Sequence, residues 1–103
     1  MHTVAETEIF IRYAAQIWNE SERTEFIDWL AENPLSGDVI PGSGGCRKVR
    51  WSRAGVGKRG GVRVIYFNVV DDRIWLLIVY AKAKFDNLPT DFFVRLRQEI
   101  DRG

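Results

Sequence analysis

VRVIYFNVVDDRIWLLIVYA, residues 62 to 81, holds two runs rich in β-branched and aromatic residues, 62 to 70 and 73 to 81, with only Asp71 and Asp72 between them. Two such runs joined by so tight a connection predict an antiparallel hairpin. The near-continuous apolar run Ile74 to Tyr80 predicts a strand buried on both faces, with helices on one side and a second cover on the other.

Upstream, CRKVRW (46 to 51) has the period of a further short strand. Before it the period is helical. Residues 8 to 18 place Ile9, Tyr13, Ala14 and Ile17 about one turn apart, flanked by Phe10 and Trp18. A second helix follows, capped by Asn19 or Ser21 with Glu22 three residues after Asn19, and burying Phe26, Ile27, Leu30 and Ala31. It stops near Asn33, because the residue before Pro34 is pushed out of helical geometry. Thr3 to Ala5 is assigned a short edge strand. Thr90 opens a last helix whose stripe is Phe92, Phe93, Leu96 and Ile100. The expected order β-α-α-β-β-β-α is an α+β fold: a small antiparallel sheet with two N-terminal helices packed on it and a C-terminal helix. At 103 residues the chain, 1 to 103, is a single domain.

Apolar residues at 46% and four tryptophans argue for a packed core. No apolar run approaches the roughly 20 residues that span a bilayer, and MHTVAETEIF carries acid where a secretory signal carries basic residues. A cytoplasmic protein without membrane contact is expected. One cysteine, Cys46, and one histidine, His2, leave neither a disulfide nor a cluster for a metal, so no metal and no cofactor are expected. Cys46 reads as a small packing residue and His2 as a solvated terminal one.

Charge is unevenly placed. Residues 42 to 63, GSGGCRKVRWSRAGVGKRGGVR, carry seven basic residues and seven glycines with no acid, leaving eight basic against fourteen acidic residues elsewhere. Residues 39 to 70 contain no Asp or Glu at all. A merely solvated face mixes both signs, so this stretch points to a polyanion, nucleic acid above all. GVGKRG (55 to 60) has the form GxGxxG, but a strand follows it where a dinucleotide site requires a helix. A nucleoside-triphosphate loop fails too, since Arg59 follows Lys58 where Ser or Thr is needed. What survives is recognition of a phosphate backbone. Lys48, Arg50 and Arg63 alternate with Val49, Val62 and Val64, which puts the cations on one face of the sheet and the valines on the other. Lys82 and Lys84, two residues apart at the end of the last strand, can join them. Trp51, beside the cluster, is a candidate for stacking on bases, although core packing is the commoner use of such a residue; Tyr66 and Tyr80 read as core or sheet-face residues.

VIPGSGGCRKVRW, then GKRGGVRVIYF, then IWLLIVYAK together resemble the RelE/ParE superfamily of type II toxins, and within it the HigB-like branch, over roughly residues 38 to 88. The resemblance implies a ribosome-dependent mRNA endoribonuclease that inhibits translation by cutting mRNA in the ribosomal A site. It also implies a cognate antitoxin of helix-turn-helix type, rRNA contacts, and a toxin that is monomeric within a hetero-oligomeric complex. The family's paired basic residues fall on Lys48 and Arg50, its arginine after the glycine on Arg63, and its basic residue near the end of the last strand on Lys82 or Lys84. No tyrosine follows Tyr80, so the tyrosine that some members carry towards the C-terminus has no counterpart.

Such an enzyme needs no histidine, because RNA supplies its own 2′-OH nucleophile. Arg50 and Arg63 suit a clamp on phosphate, their guanidinium groups matching two oxygens at once. Lys48, next to Arg47 and two residues from Arg50, is the candidate base, because neighbouring positive charge disfavours a protonated amine. Arg47, Arg53, Lys58 and Arg59 suit positioning on RNA phosphates. Two alternatives stand beside this reading: a ParE-like gyrase poison and a non-catalytic nucleic-acid-binding module.

Overall fold

The hairpin forms as its periodicity predicts. The computed structural model describes residues 3 to 51, 61 to 69, 73 to 81 and 88 to 101. In it β1 is Thr3–Glu6, α1 Glu8–Ile17, α2 Glu20–Glu32, β2 Asp38–Val39, β3 Cys46–Trp51, β4 Val62–Val69, β5 Arg73–Ala81 and α3 Thr90–Asp101. The five strands lie in the order β1-β5-β4-β3-β2.

β4 and β5 pair antiparallel from Val62 opposite Ala81 to Val69 opposite Arg73, with one break. Ile65 faces Ile78 but Tyr66 faces Leu76, so Leu77 is an extra residue in β5. This bulge resets the alternation. Ile74, Leu76 and Val79 enter one core cluster, whereas Trp75, Leu77, Ile78 and Tyr80 pack in the other.

The first cluster brings Phe10 and Ala14 of α1, then Trp18, then Phe26 and Leu30 of α2, against Val49, Val62 and Val64 of the sheet. The second seats Phe93 and Leu96 of α3 on Cys46, Ile65 and Ile78. Both faces of the hairpin are thus covered, and Ile74 and Leu76 to Tyr80 are all at most 3% exposed. At roughly 25 cal/mol per Å² of apolar surface removed from water, this two-sided burial is the main force holding β5 at the centre.

Local signals work where expected. Asn19 and Glu22 form a reciprocal capping box, each side chain taking the other's backbone N–H at 2.8 Å. Asn33 closes α2 ahead of Pro34. Thr7 caps α1 by accepting from the Phe10 N–H at 3.1 Å, and its hydroxyl donates to the carbonyls of Leu76 at 2.9 Å and Leu77 at 3.1 Å. One threonine thereby starts a helix and satisfies carbonyls at the bulge. A fork of hydrogen bonds from Arg23 to Glu6, 2.7 and 2.9 Å, ties α2 to β1.

Two details correct the expected sheet. β1 is the predicted edge strand but runs parallel to β5, so the sheet is mixed at that edge. β2, two exposed residues antiparallel to β3, has no counterpart in the sequence reading, because two residues show no period. Within α1 the fully buried line is Phe10 and Ala14, while Ile9, Tyr13 and Ile17 are only half-buried. Among the described residues no helix is long and apolar enough to cross a membrane.

Candidate functional site

The alternation of valines and cations decides the site. Val49, Val62 and Val64 are buried under α1 and α2, which turns Lys48, Arg50 and Arg63 to the opposite face. Cross-strand register then sets two rows. Asp38 on β2 faces Lys48 on β3, which faces Ile65 on β4. One step along, Arg50 faces Arg63, which faces Tyr80 on β5.

Lys48 and Arg50 are exposed and Arg63 is half-buried. α3 covers the Cys46 and Ile65 part of this face, so the cations lie beyond its cover. Side chains directly opposite in an antiparallel pair have Cβ atoms about 5 Å apart, and like charges there destabilise the pair. The fold carries that cost at Arg50 and Arg63. An anion between the two guanidinium groups removes it. The Tyr80 phenol is pushed above its ordinary pKa by burial, and Arg63 beside it opposes the shift.

A surface groove of about 570 Å³ runs beside Lys48 and Arg50, lined also by Ser36, Asp38, Ile40 and Pro41. Its outer wall is held from behind. The Tyr66 hydroxyl, fully buried, donates to the Pro34 carbonyl at 2.9 Å and accepts from the Gly37 N–H at 2.8 Å, and Asn68 also donates to Pro34 at 2.9 Å. Gly37 has no room for a side chain: an added Cβ would lie 2.9 Å from the Lys48 carbonyl and the Tyr66 ring. The turn into β3 is equally built. Gly44 and Gly45 adopt φ of 79° and 104°, the left-handed region open to glycine, and the buried Ser43 hydroxyl donates to Ile40 at 2.6 Å and accepts from Cys46 at 3.0 Å. These glycines of the basic segment serve the connection between β2 and β3.

Two residues expected at the interface are placed elsewhere. Arg47 alternates with Lys48 and so points to the α2 face, where it donates to the Gly37 carbonyl at 2.7 Å. Trp51 lies on that same face with its ring 4.9 Å from Trp29 and 5.2 Å from Phe26. Both therefore hold the fold, and Arg47 does not crowd Lys48. Lys82, Lys84, Arg53, Lys58 and Arg59 lie outside the described residues. Cys46 is buried and its thiol is pushed up by that burial, as suits a packing residue. No group of three or more His, Cys, Asp or Glu side chains able to hold a metal occurs among the described residues.

Sequence reasoning missed Asp38 and the loop anchor Tyr66. Asp38 left one signal: it is the acid that immediately precedes the acid-free stretch.

No family model matches the sequence. Among solved structures, E. coli toxin RelE, in a free-state mutant with two arginines replaced by alanine, superimposes with a TM-score of 0.60 over 93% of this chain and 96% of that one, at 12% sequence identity. At that identity the likeness establishes the fold: three helices and a five-stranded sheet in the α+β arrangement of RelE.

Proposed function

We propose that this protein is the toxin of a type II toxin-antitoxin system, a metal-independent endoribonuclease of the HigB-like branch that cuts mRNA in the ribosomal A site. The observation that carries the reading is the Arg50–Arg63 pair, two like charges set directly opposite each other beside Lys48, on the fold of RelE. Opposed like charges disfavour the free sheet and favour a polyanion laid across them.

The chemistry asks little of the protein. The 2′-oxygen attacks the adjacent phosphorus, negative charge builds on the phosphorane oxygens, and the 5′-oxygen leaves. Arg50, Arg63 and Lys48 stabilise that charge as fixed donors, each typically worth about 10²- to 10³-fold in rate. Lys82 or Lys84 assists departure of the 5′-oxygen, and Arg53, Lys58 and Arg59 hold RNA or ribosome phosphates. A contact set of about 6 to 10 phosphates weakens binding roughly 10³- to 10⁵-fold between about 50 and 200 mM salt. The exposed cationic face also explains an antitoxin, which must cover or distort it, in the cytoplasm where mRNA is translated.

Cleavage of mRNA on translating ribosomes, compared for wild type, Arg63→Ala and Lys48→Ala, tests the assignment. Loss of cleavage in both variants, with folding intact, is the expected result. Variants that cut and arrest growth like wild type would overturn the site. Gyrase-linked DNA breaks with intact mRNA would replace the reading by a gyrase poison, and RNA binding without cleavage on ribosomes would leave a binding module.

A further inference from the structure

We infer that Asp38 is a catalytic residue of this site, the acceptor of the 2′-hydroxyl proton; the inference rests on the endoribonuclease reading above. Asp38 is the one carboxylate among the described residues lining the groove, whose other charged walls are Lys48 and Arg50. It stands directly opposite Lys48 on the adjacent strand, so the two side chains leave the sheet on the same face, their Cβ atoms about 5 Å apart. Tyr66, Asn68 and Arg47 bind backbone groups of Pro34 and Gly37 in the segment that immediately precedes it, which fixes the path of the chain into Asp38.

The placement answers a chemical problem. No histidine is among the described residues that line this groove. Lys48 was the candidate base because Arg47 and Arg50 flank it in sequence, but Arg47 is on the other face and Asp38 takes its place beside Lys48. An ammonium next to a carboxylate is an acid and base pair. A carboxylate oxygen of Asp38 takes the 2′-OH proton as the bond from O2′ to phosphorus forms. The bond from phosphorus to O5′ then breaks, and on this inference the Lys48 ammonium, in place of Lys82 or Lys84, delivers a proton to the departing oxygen. The products are a 2′,3′-cyclic phosphate and a 5′-hydroxyl. Transfer of the proton from Asp38 to its neighbour Lys48 restores both groups, so no outside reagent is consumed.

The groups facing Asp38 are Lys48 and Arg50, both on β3. Asp38 and Lys48 are thus two candidate bases side by side. Single-turnover mRNA cleavage on programmed ribosomes separates them. Asp38→Asn is expected to slow cleavage about 10²- to 10⁴-fold, with RNA affinity equal or tighter because a repelling charge is gone. Asp38→Glu recovers cleavage to within about tenfold of wild type. Asp38 is exposed on a two-residue strand, so its substitution leaves the fold intact, as a thermal melt will show. Asp38→Asn cleaving within about threefold of wild type would overturn the inference and return the proton to a lysine. If Arg63→Ala is impaired and Asp38→Asn is not, only Asp38 falls. If wild type itself leaves mRNA intact on ribosomes, the endoribonuclease reading falls and Asp38 falls with it.

Discussion

Replacing Arg50 by glutamine should make the protein more stable and less active, and that combination is the sharpest test of a charge pair kept for function. Glutamine retains most of the stem and loses the charge. Exposed Arg50 faces half-buried Arg63 directly across the β3–β4 ladder, where opposed like charges destabilise; the usual size of a cross-strand pair, about 0.2–1 kcal/mol, sets the scale. Unfolding entropy near 2.1 cal/mol/K per residue gives about 0.22 kcal/mol/K for 103 residues, so relief of the repulsion should raise Tm by about 1–5 °C. Because Arg50 is exposed and Arg63 only half-buried, salt screens the pair in part: the gain should be largest near about 20 mM salt and shrink towards about 300 mM. Calorimetry at both salt concentrations measures this. In parallel, loss of one phosphate contact should lower the slope of log affinity against log salt for single-stranded RNA by about 0.7, and cleavage should fall about 10²- to 10³-fold. A Tm that drops by more than about 2 °C at low salt, or an unchanged salt slope, would refute the reasoning, because the guanidinium would then be holding the native structure and not waiting for an anion.

Two further outcomes follow from buried tyrosines. Tyr66→Phe leaves the buried Gly37 N–H without its acceptor, a loss of about 1–3 kcal/mol measurable by urea unfolding; a change below about 0.5 kcal/mol would mean that the anchor of the groove wall contributes nothing. The Tyr80 phenol, raised by burial and opposed by Arg63, contributes stability that is fully present below its ordinary pKa of 10 and is lost as pH rises through the higher folded value. Absorbance titration near 295 nm should therefore show its ionisation moving further up in Arg63→Ala, and a downward shift would place Arg63 away from it.

The sequence determined every element longer than two residues, because helical and strand periods are local properties of the chain. The hairpin was legible in 62 to 81, the capping box in Asn19 and Glu22, and the end of α2 in Asn33 and Pro34. It determined the face of the cations as well, since Lys48, Arg50 and Arg63 alternate with valines that must be buried. Tertiary structure alone decided what each cation meets. Register is set by pairing between distant segments, and no local pattern records that Arg50 would face Arg63 or that Asp38 would return opposite Lys48. Arg47 looked like one more cation of the cluster until the pleat turned it to the Gly37 carbonyl. The bulge at Leu77 is the clearest case. Strict alternation along β5 would have put Tyr80 under α1 and α2 and Val79 beside Arg63; one extra residue, its carbonyl met by Thr7 from seventy positions away in the chain, exchanges them and completes the row Arg50, Arg63, Tyr80.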